Sequence, residues 1–379
     1  MHKKLFIPGP TEVRPEILEE LARPMIGHRS KEFSELLMEV TPKVQKLLYT
    51  ENPVFISTSS STGMMEGAIR NCVAKRCLNC VNGAFSKRWY EITLANGKEA
   101  DPLEVEWGKA ILPEMIEERL KTGRYDALAL VHNETSTGVM NPLEEIAEVM
   151  RDYPDVIFMV DAVSSMAGVK IEVDRLGIDV ILAGVQKCFA LPPGLAVVAV
   201  SEKALKKAEK VKDRGYYFDF LVFKRYLEER RQTPTTPSIP HLYALNKQMD
   251  EIFAEGLEER FARHKAMADH VRAWARENFA LFAQPGYESD TLTAITNTKG
   301  ISVAALNEEL GRRGAAISNG YGKLKEKTFR IAHMGDLQLE DIKELLDWID
   351  ETEVVVDTEG LDLLETDAER KVALGVLRF

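Results

Sequence analysis

The chain has 379 residues, 45% of them hydrophobic, with four cysteines and a formal net charge of −11. That length exceeds what one hydrophobic core usually fills, so two domains are expected, and the acidic balance argues against a nucleic-acid partner, whose phosphates draw on clustered Lys and Arg. Four cysteines do not make a disulfide framework in so long a chain, no apolar run reaches bilayer-spanning length, and MHKKLFIPGPT turns into Pro-Gly-Pro before a signal-peptide core could form; a cytoplasmic protein without membrane contact is expected.

An extended arm, residues 1–14, opens the chain. Helices follow at 15–21 and 34–48; in the second, Leu36, Leu37, Val40, Val44 and Leu47 share a face and Pro42 should bend it or begin a new turn. Between residues 52 and 201, short apolar runs at 54–57, 127–132, 156–161, 180–183 and 195–200 alternate with helical patterns. That alternation predicts an α/β fold with a mostly parallel sheet covered on both faces. The basic stretch KALKKAEKVKDR reads as the solvated face of a helix. A long helix at 255–278, striped by Leu257, Phe261, His264, Met267, Val271 and Trp274, links a large domain (15–253) to a smaller one (254–352). There, strands at 292–297 and 329–333 mix with helices at 303–312 and 339–350, an α+β pattern. Residues 353–379 form an extension whose apolar positions suggest an added element packing on the subunit or a partner.

Several residues sit where such sheets place their ligands, at the carboxyl ends of strands. Lys187, in IDVILAGVQKCFALPPG, follows one apolar run by a short turn, and Asp161 ends another. A lysine can form a Schiff base with an aldehyde, and an aspartate can keep a pyridinium nitrogen protonated so that pyridoxal phosphate (PLP) acts as an electron sink. A lysine after a strand is otherwise a solvated loop residue. Ser60, Ser61, Thr62 and Gly63 open a helical pattern and could present hydroxyls and N–H groups to a phosphate, or form an ordinary N-cap. Phe85 in NGAFSKRW could stack on a flat ring or fill the core; Thr135 in HNETSTG could bond a ring substituent or serve a turn. Cys77 and Cys80 form CLNC, half a zinc site without a second half, so no metal is expected and buried thiols are the simpler account.

Taken in order, PGPT, GHRS, SSSTGMMEG, NGAF, HNETSTG, VDAVSS and GVQKCFALPPG resemble a class V aminotransferase of PLP fold type I, in the style of the alanine–glyoxylate, serine–glyoxylate and serine–pyruvate aminotransferases. The resemblance implies that Lys187 bonds the cofactor aldehyde and moves the proton of the substrate α-carbon, and that Asp161 partners the pyridinium. It places Val163 beneath the ring opposite Phe85, Thr135 on the ring hydroxyl, and Ser60, Ser61, Thr62 and Gln186 on the phosphate side. It makes Arg330 the binder of the substrate α-carboxylate, where a planar fork suits a bidentate contact, with Gly9 offering a backbone contact. Thr236, in QTPTTPS, matches a threonine reaching the phosphate of a neighbouring subunit, so a homodimer with shared sites is implied. Two departures weaken the phosphate assignments: Ser59 and Ser61 stand where many relatives carry glycine, and Thr233 where some carry tyrosine.

The activity so implied is ping-pong transamination from alanine or serine to glyoxylate or pyruvate. His28 and Arg29 match a pair that phosphoserine aminotransferases use on the substrate phosphate, which keeps that activity in serine biosynthesis as the alternative; an arm contact at a subunit interface is the plainer role. A cysteine desulfurase or selenocysteine lyase is disfavoured, because no cysteine follows Cys188 to supply the thiolate and Gln186 stands where those enzymes carry histidine. A noncatalytic PLP-binding subunit, suggested by the unmatched extension, is disfavoured by the presence of Lys187, Asp161 and Arg330.

Overall fold

The computed structural model describes residues 2–352 and the backbone of 354–355 and 376–377. A seven-stranded sheet organises the first two thirds, in the spatial order Val54–Ser57, Ala196–Val200, Val180–Gly184, Ile157–Asp161, Ala127–Val131, Arg76–Val81, Glu99–Glu104. All run parallel except Ala196–Val200, which is antiparallel to both neighbours. The central strands read as continuous apolar runs because helices cover both faces. Alternation then divides them: Leu128, Leu130, Phe158, Val160 and Ile181 enter one core, and Ala129, Val131, Met159, Val180 and Leu182 the other. Cys77 and Cys80, three apart on one strand, likewise fall into opposite cores, so CLNC cannot close on one ion.

Local chemistry moves some expected boundaries. Ser30 accepts a hydrogen bond from the Phe33 amide, so the second helix begins at Lys31 rather than 34. Pro42 lies inside that helix without ending it. Its ring is on the solvent side, and Met38, whose carbonyl loses its helical partner there, is itself 39% exposed. The basic helix Glu202–Lys210 is less solvated than expected: Lys203 pairs with buried Asp179 and Lys207 with buried Asp126, both at 2.7 Å. Those aspartates sit at the amino ends of the strands, opposite the site.

A five-stranded sheet follows in the order Lys4–Phe6, Ala315–Asn319, Thr328–Ala332, Leu292–Thr296, Ala280–Leu281. The amino-terminal arm is therefore paired, parallel to Ala315–Asn319. The long helix Leu257–Asn278 and helices Val303–Arg313 and Leu339–Asp350 cover this sheet through Met267, Val271, Leu306, Leu310, Leu345 and Ile349. Thr328–Ala332 is buried throughout. Among the described residues no helix is long and apolar enough to cross a membrane. The extension expected at 353–379 lies outside the described residues, apart from the backbone pairing of Val354 with Leu377 and Val355 with Val376.

Candidate active site

A cavity of about 190 Å³ opens at the carboxyl ends of the parallel strands. Nine residues expected from sequence line it together: Ser60, Ser61, Thr62, Phe85, Thr135, Asp161, Val163, Gln186 and Lys187. They come from loops after five different strands, and strand register aligns those ends, with Asp161 opposite Val131 and Leu182.

Lys187 is 6% exposed and its Nζ donates to Ser164 Oγ at 2.9 Å and Thr135 Oγ1 at 3.1 Å. Burial pushes its pKa down to about 8, against the attraction of Asp161. Asp161 moves the other way: burial raises its pKa to about 7, although the Val163 amide donates to Oδ1 at 2.7 Å and Lys187 favours the charged form. The His132 amide donates to the Asp161 carbonyl at 2.8 Å; the buried His132 ring is bonded through Nδ1 to Ser165 Oγ at 2.9 Å and held neutral by burial, with a pKa of about 4.

The turn between the strand Val54–Ser57 and the helix Ser61–Cys72 carries the hydroxyl cluster. The Ser60 side chain makes no capping bond, which leaves it and the Ser61 and Thr62 amides available to an anion, while the Gly63 amide donates to the Ser60 carbonyl at 3.0 Å. A Cβ at Gly184 would push aside the tips of the Gln186 and Ser61 side chains that line the cavity.

Phe85 is placed by a group that sequence reading passed over. Glu134, fully buried, accepts from the Ser86 amide and hydroxyl at 2.9 Å each and from the Phe85 amide at 3.2 Å, so its carboxylate caps the helix Ala84–Ala95. The Phe85 ring then lies 5.5 Å from Lys187 Nζ and 5.3 Å from the Tyr321 ring.

Arg330 is 8% exposed and comes from the second sheet. Nε and Nη2 donate to the Asn319 carbonyl at 3.2 and 3.1 Å, and Nη1 to the Thr135 carbonyl at 3.2 Å. Among the described residues it has no carboxylate partner. Burial lowers its pKa to about 10. Arg330 and Lys187 thus meet on Thr135, one at its carbonyl and one at its hydroxyl.

The remaining expected residues stand apart from the cavity lining. Gly9, at φ +92°, packs against Lys187: a Cβ would lie 3.0 Å from Lys187 Cγ and 3.1 Å from the Gln186 carbonyl. Thr11, not expected, donates to the Lys187 carbonyl at 3.0 Å. Arg29 reaches the segment 232–234 of its own chain, donating to the Thr233 and Pro234 carbonyls at 2.6 and 3.0 Å and to Gln232 Oε1 at 3.2 Å. His28 Nε2 lies 3.4 Å from Thr236 Oγ1, and Thr236 is exposed. Ser164, Asn133, Arg88 and Met65 also line the cavity. Ser164 and Asn133 were within the quoted motifs VDAVSS and HNETSTG, where hydroxyl and amide residues at strand ends were the available signal.

These residues fit PLP. Asp161 is a buried carboxylate to which, among the described residues, only one amide donates, a setting that a ring cation would relieve. Lys187 is a buried amine of lowered pKa beside it, and Asn133 Oδ1 is buried with no partner among the described residues.

Comparison with known proteins agrees with this chemistry. The family described as Aminotransferase class-V matches residues 13–347. An uncharacterized aminotransferase of Methanocaldococcus jannaschii is 43% identical over 341 residues, 88% of each chain. The serine–glyoxylate aminotransferase of Methylorubrum extorquens is 33% identical, covering 88% of this chain and 86% of that one. The crystal structure of an alanine–glyoxylate aminotransferase from Nostoc sp. superposes with a TM-score of 0.87 at 27% identity, over 92% of this chain and 94% of the other.

Proposed function

The chain belongs to the class V aminotransferase family and is a PLP-dependent transaminase, and on that premise we propose that it moves the amino group of alanine or serine to glyoxylate or pyruvate in two half-reactions. When bound, PLP supplies an aldehyde that takes up the amino group and a ring that withdraws electrons from the α-carbon. Asp161 would partner the ring nitrogen and keep it protonated. Lys187 Nζ would take the α-proton of the donor and deliver it to the former aldehyde carbon within the same half-reaction, and would run that transfer in reverse in the other; a pKa of about 8 leaves a useful share of the amine unprotonated near neutrality. Ser60, Ser61, Thr62 and Gln186 would hold the phosphate, Phe85 and Val163 would flank the ring, and Thr135 would bond its hydroxyl.

The observation that carries this reading is the meeting of Lys187 and Arg330 on Thr135. Three of the five N–H groups of Arg330 are taken by carbonyls. One remains on each terminal nitrogen, the pair that grips a carboxylate bidentately. A carboxylate so held brings its α-carbon toward the base, with Gly9 leaving room beside Lys187. Thr236, exposed and outside its own cavity, suits a role in the partner's site within a cytoplasmic homodimer.

The phosphoserine alternative is disfavoured because neither His28 nor Arg29 lines the cavity of its own chain, and Arg29 is bound to the segment 232–234. The test is the visible spectrum of PLP-loaded protein during separate additions of L-alanine, L-serine and O-phospho-L-serine. Conversion to pyridoxamine phosphate by alanine or serine is expected. Conversion by phosphoserine alone would move His28 and Arg29 into the substrate site and overturn the proposed donor class.

A further inference from the structure

Lys187 has a hydroxyl partner to which the proposed reaction assigns no role. Ser164, 1% exposed, accepts from Nζ at 2.9 Å, the shorter of the amine's two bonds to hydroxyls. Its backbone carbonyl is held from three directions: Thr291 Oγ1 donates at 2.6 Å, Asn133 Nδ2 at 3.1 Å and Cys188 Sγ at 3.5 Å. These donors come from the entry to the second sheet, from the loop after Ala127–Val131, and from the residue beside Lys187. There is no slack around them, since a Cβ on Gly168 would fall 2.8 Å from Cys188 Sγ and 2.9 Å from Thr291 Cγ2. These bonds hold the Ser164 backbone, and the contact of Ser164 Oγ with Thr135 Oγ1 at 2.5 Å sets its hydroxyl, and with it the place where the lysine amine rests.

This inference rests on the transaminase reading, in which Lys187 is released from the cofactor when the amino acid arrives and must then reach the α-carbon. Thr135, the other acceptor, is there engaged by the cofactor ring. We propose that Ser164 is a positioning residue that holds the released Lys187 amine beside the substrate α-carbon, its own place set by Thr291 and Asn133. A free lysine side chain samples many rotamers, and one fixed acceptor converts that search into a poised base. The other charged or titratable groups around the amine are Asp161, Cys188, Arg330 and Glu134. None of them is hydrogen-bonded to Nζ among the described residues, so Ser164 fixes position where they only set the field.

Two variants and two measurements test this. In cofactor-free protein, competitive acetylation across pH, read at Lys187 by mass spectrometry, reports the amine itself. Ser164→Ala should label Lys187 roughly 3- to 10-fold faster at neutral pH, because the ammonium form loses a hydrogen-bond acceptor. In the holoenzyme, stopped-flow with α-protiated and α-deuterated amino acid should show proton transfer slowed roughly 10- to 100-fold with the donor KM nearly unchanged. Thr291→Val, which bonds Ser164 but not Lys187, should shift both readouts the same way by less, and it keeps the test alive should Ser164→Ala fold poorly. Unchanged Lys187 labelling in folded Ser164→Ala, or in Thr291→Val if that is the variant that folds, would overturn the proposal. Should no donor react with the wild-type holoenzyme, the proposed donor class falls, while the labelling difference still decides whether Ser164 holds Lys187.

Discussion

Arg330→Lys probes the carboxylate site, and its cost follows from the bonds that Arg330 makes. The guanidinium is anchored by the Asn319 and Thr135 carbonyls and keeps one N–H free on each terminal nitrogen. A lysine ammonium reaching the same place offers one charge and no planar fork, so at least one charge-assisted hydrogen bond to the substrate carboxylate is lost. Such a bond is worth about 1.5–3 kcal/mol, which predicts a roughly 10- to 150-fold loss of kcat/KM for amino acids. Simple amines lack the carboxylate and should lose far less. The assay is stopped-flow of the first half-reaction with L-alanine and with ethylamine, each at several concentrations, on wild-type and variant holoenzyme. Equal losses for both donors would remove Arg330 from the carboxylate site and assign its effect to the anchoring of Thr135. Thermal unfolding serves as a control, since the Asn319 and Thr135 carbonyls also lose their donors.

Lys187→Ala should abolish borohydride-trappable cofactor, read by intact mass; covalent label that survives the change would place the reactive amine elsewhere. For Asp161→Asn the prediction concerns both cofactor and pH. The folded-state pKa of Asp161 is about 7 against 3.8 when exposed, so between those values the folded protein keeps a proton that the unfolded chain has lost. The contribution of Asp161 to stability therefore falls as pH rises through that window. The difference in Tm between cofactor-free Asp161→Asn and wild type should grow in favour of the variant from pH 4 to 7, while PLP binding weakens. A constant difference across that range, or unchanged PLP affinity, would refute the assigned burial and role.

Much of the site was legible because its chemistry is local to strand ends. Lys187, Asp161, Thr135 and the hydroxyl run each follow an apolar segment within a few residues, and the strand pattern alone puts such positions at one edge of the sheet. Glu134 and Arg260 were not legible. Both are charged residues in stretches that read as a turn and a helix face, yet both are fully buried. Glu134 is satisfied by the amino end of a helix that starts 50 residues earlier in the chain. Arg260 reaches the Ala167 and Cys188 carbonyls at 2.9 and 2.7 Å and the carboxylates of Glu255 and Asp336. A buried charge is tolerated only where its partners converge, and convergence from distant segments leaves no periodic trace. Pro42 shows the reverse limit, since its breaking tendency was plain but the solvent exposure that lets the helix absorb it was not.

The order of apolar runs by itself determined the parallel sheet, because strands buried on both faces must be apolar throughout and must alternate with helices. It also determined which residues could share its carboxyl edge. Only the tertiary structure decided that Arg330 crosses from a second sheet to the Thr135 carbonyl, that Ser164 rather than a carboxylate receives the lysine amine, and that Arg29 turns to its own chain. Those choices depend on the directions of single side chains, two of the three brought together across more than a hundred residues, and a one-dimensional pattern fixes which chemistry is available without fixing where each bond points.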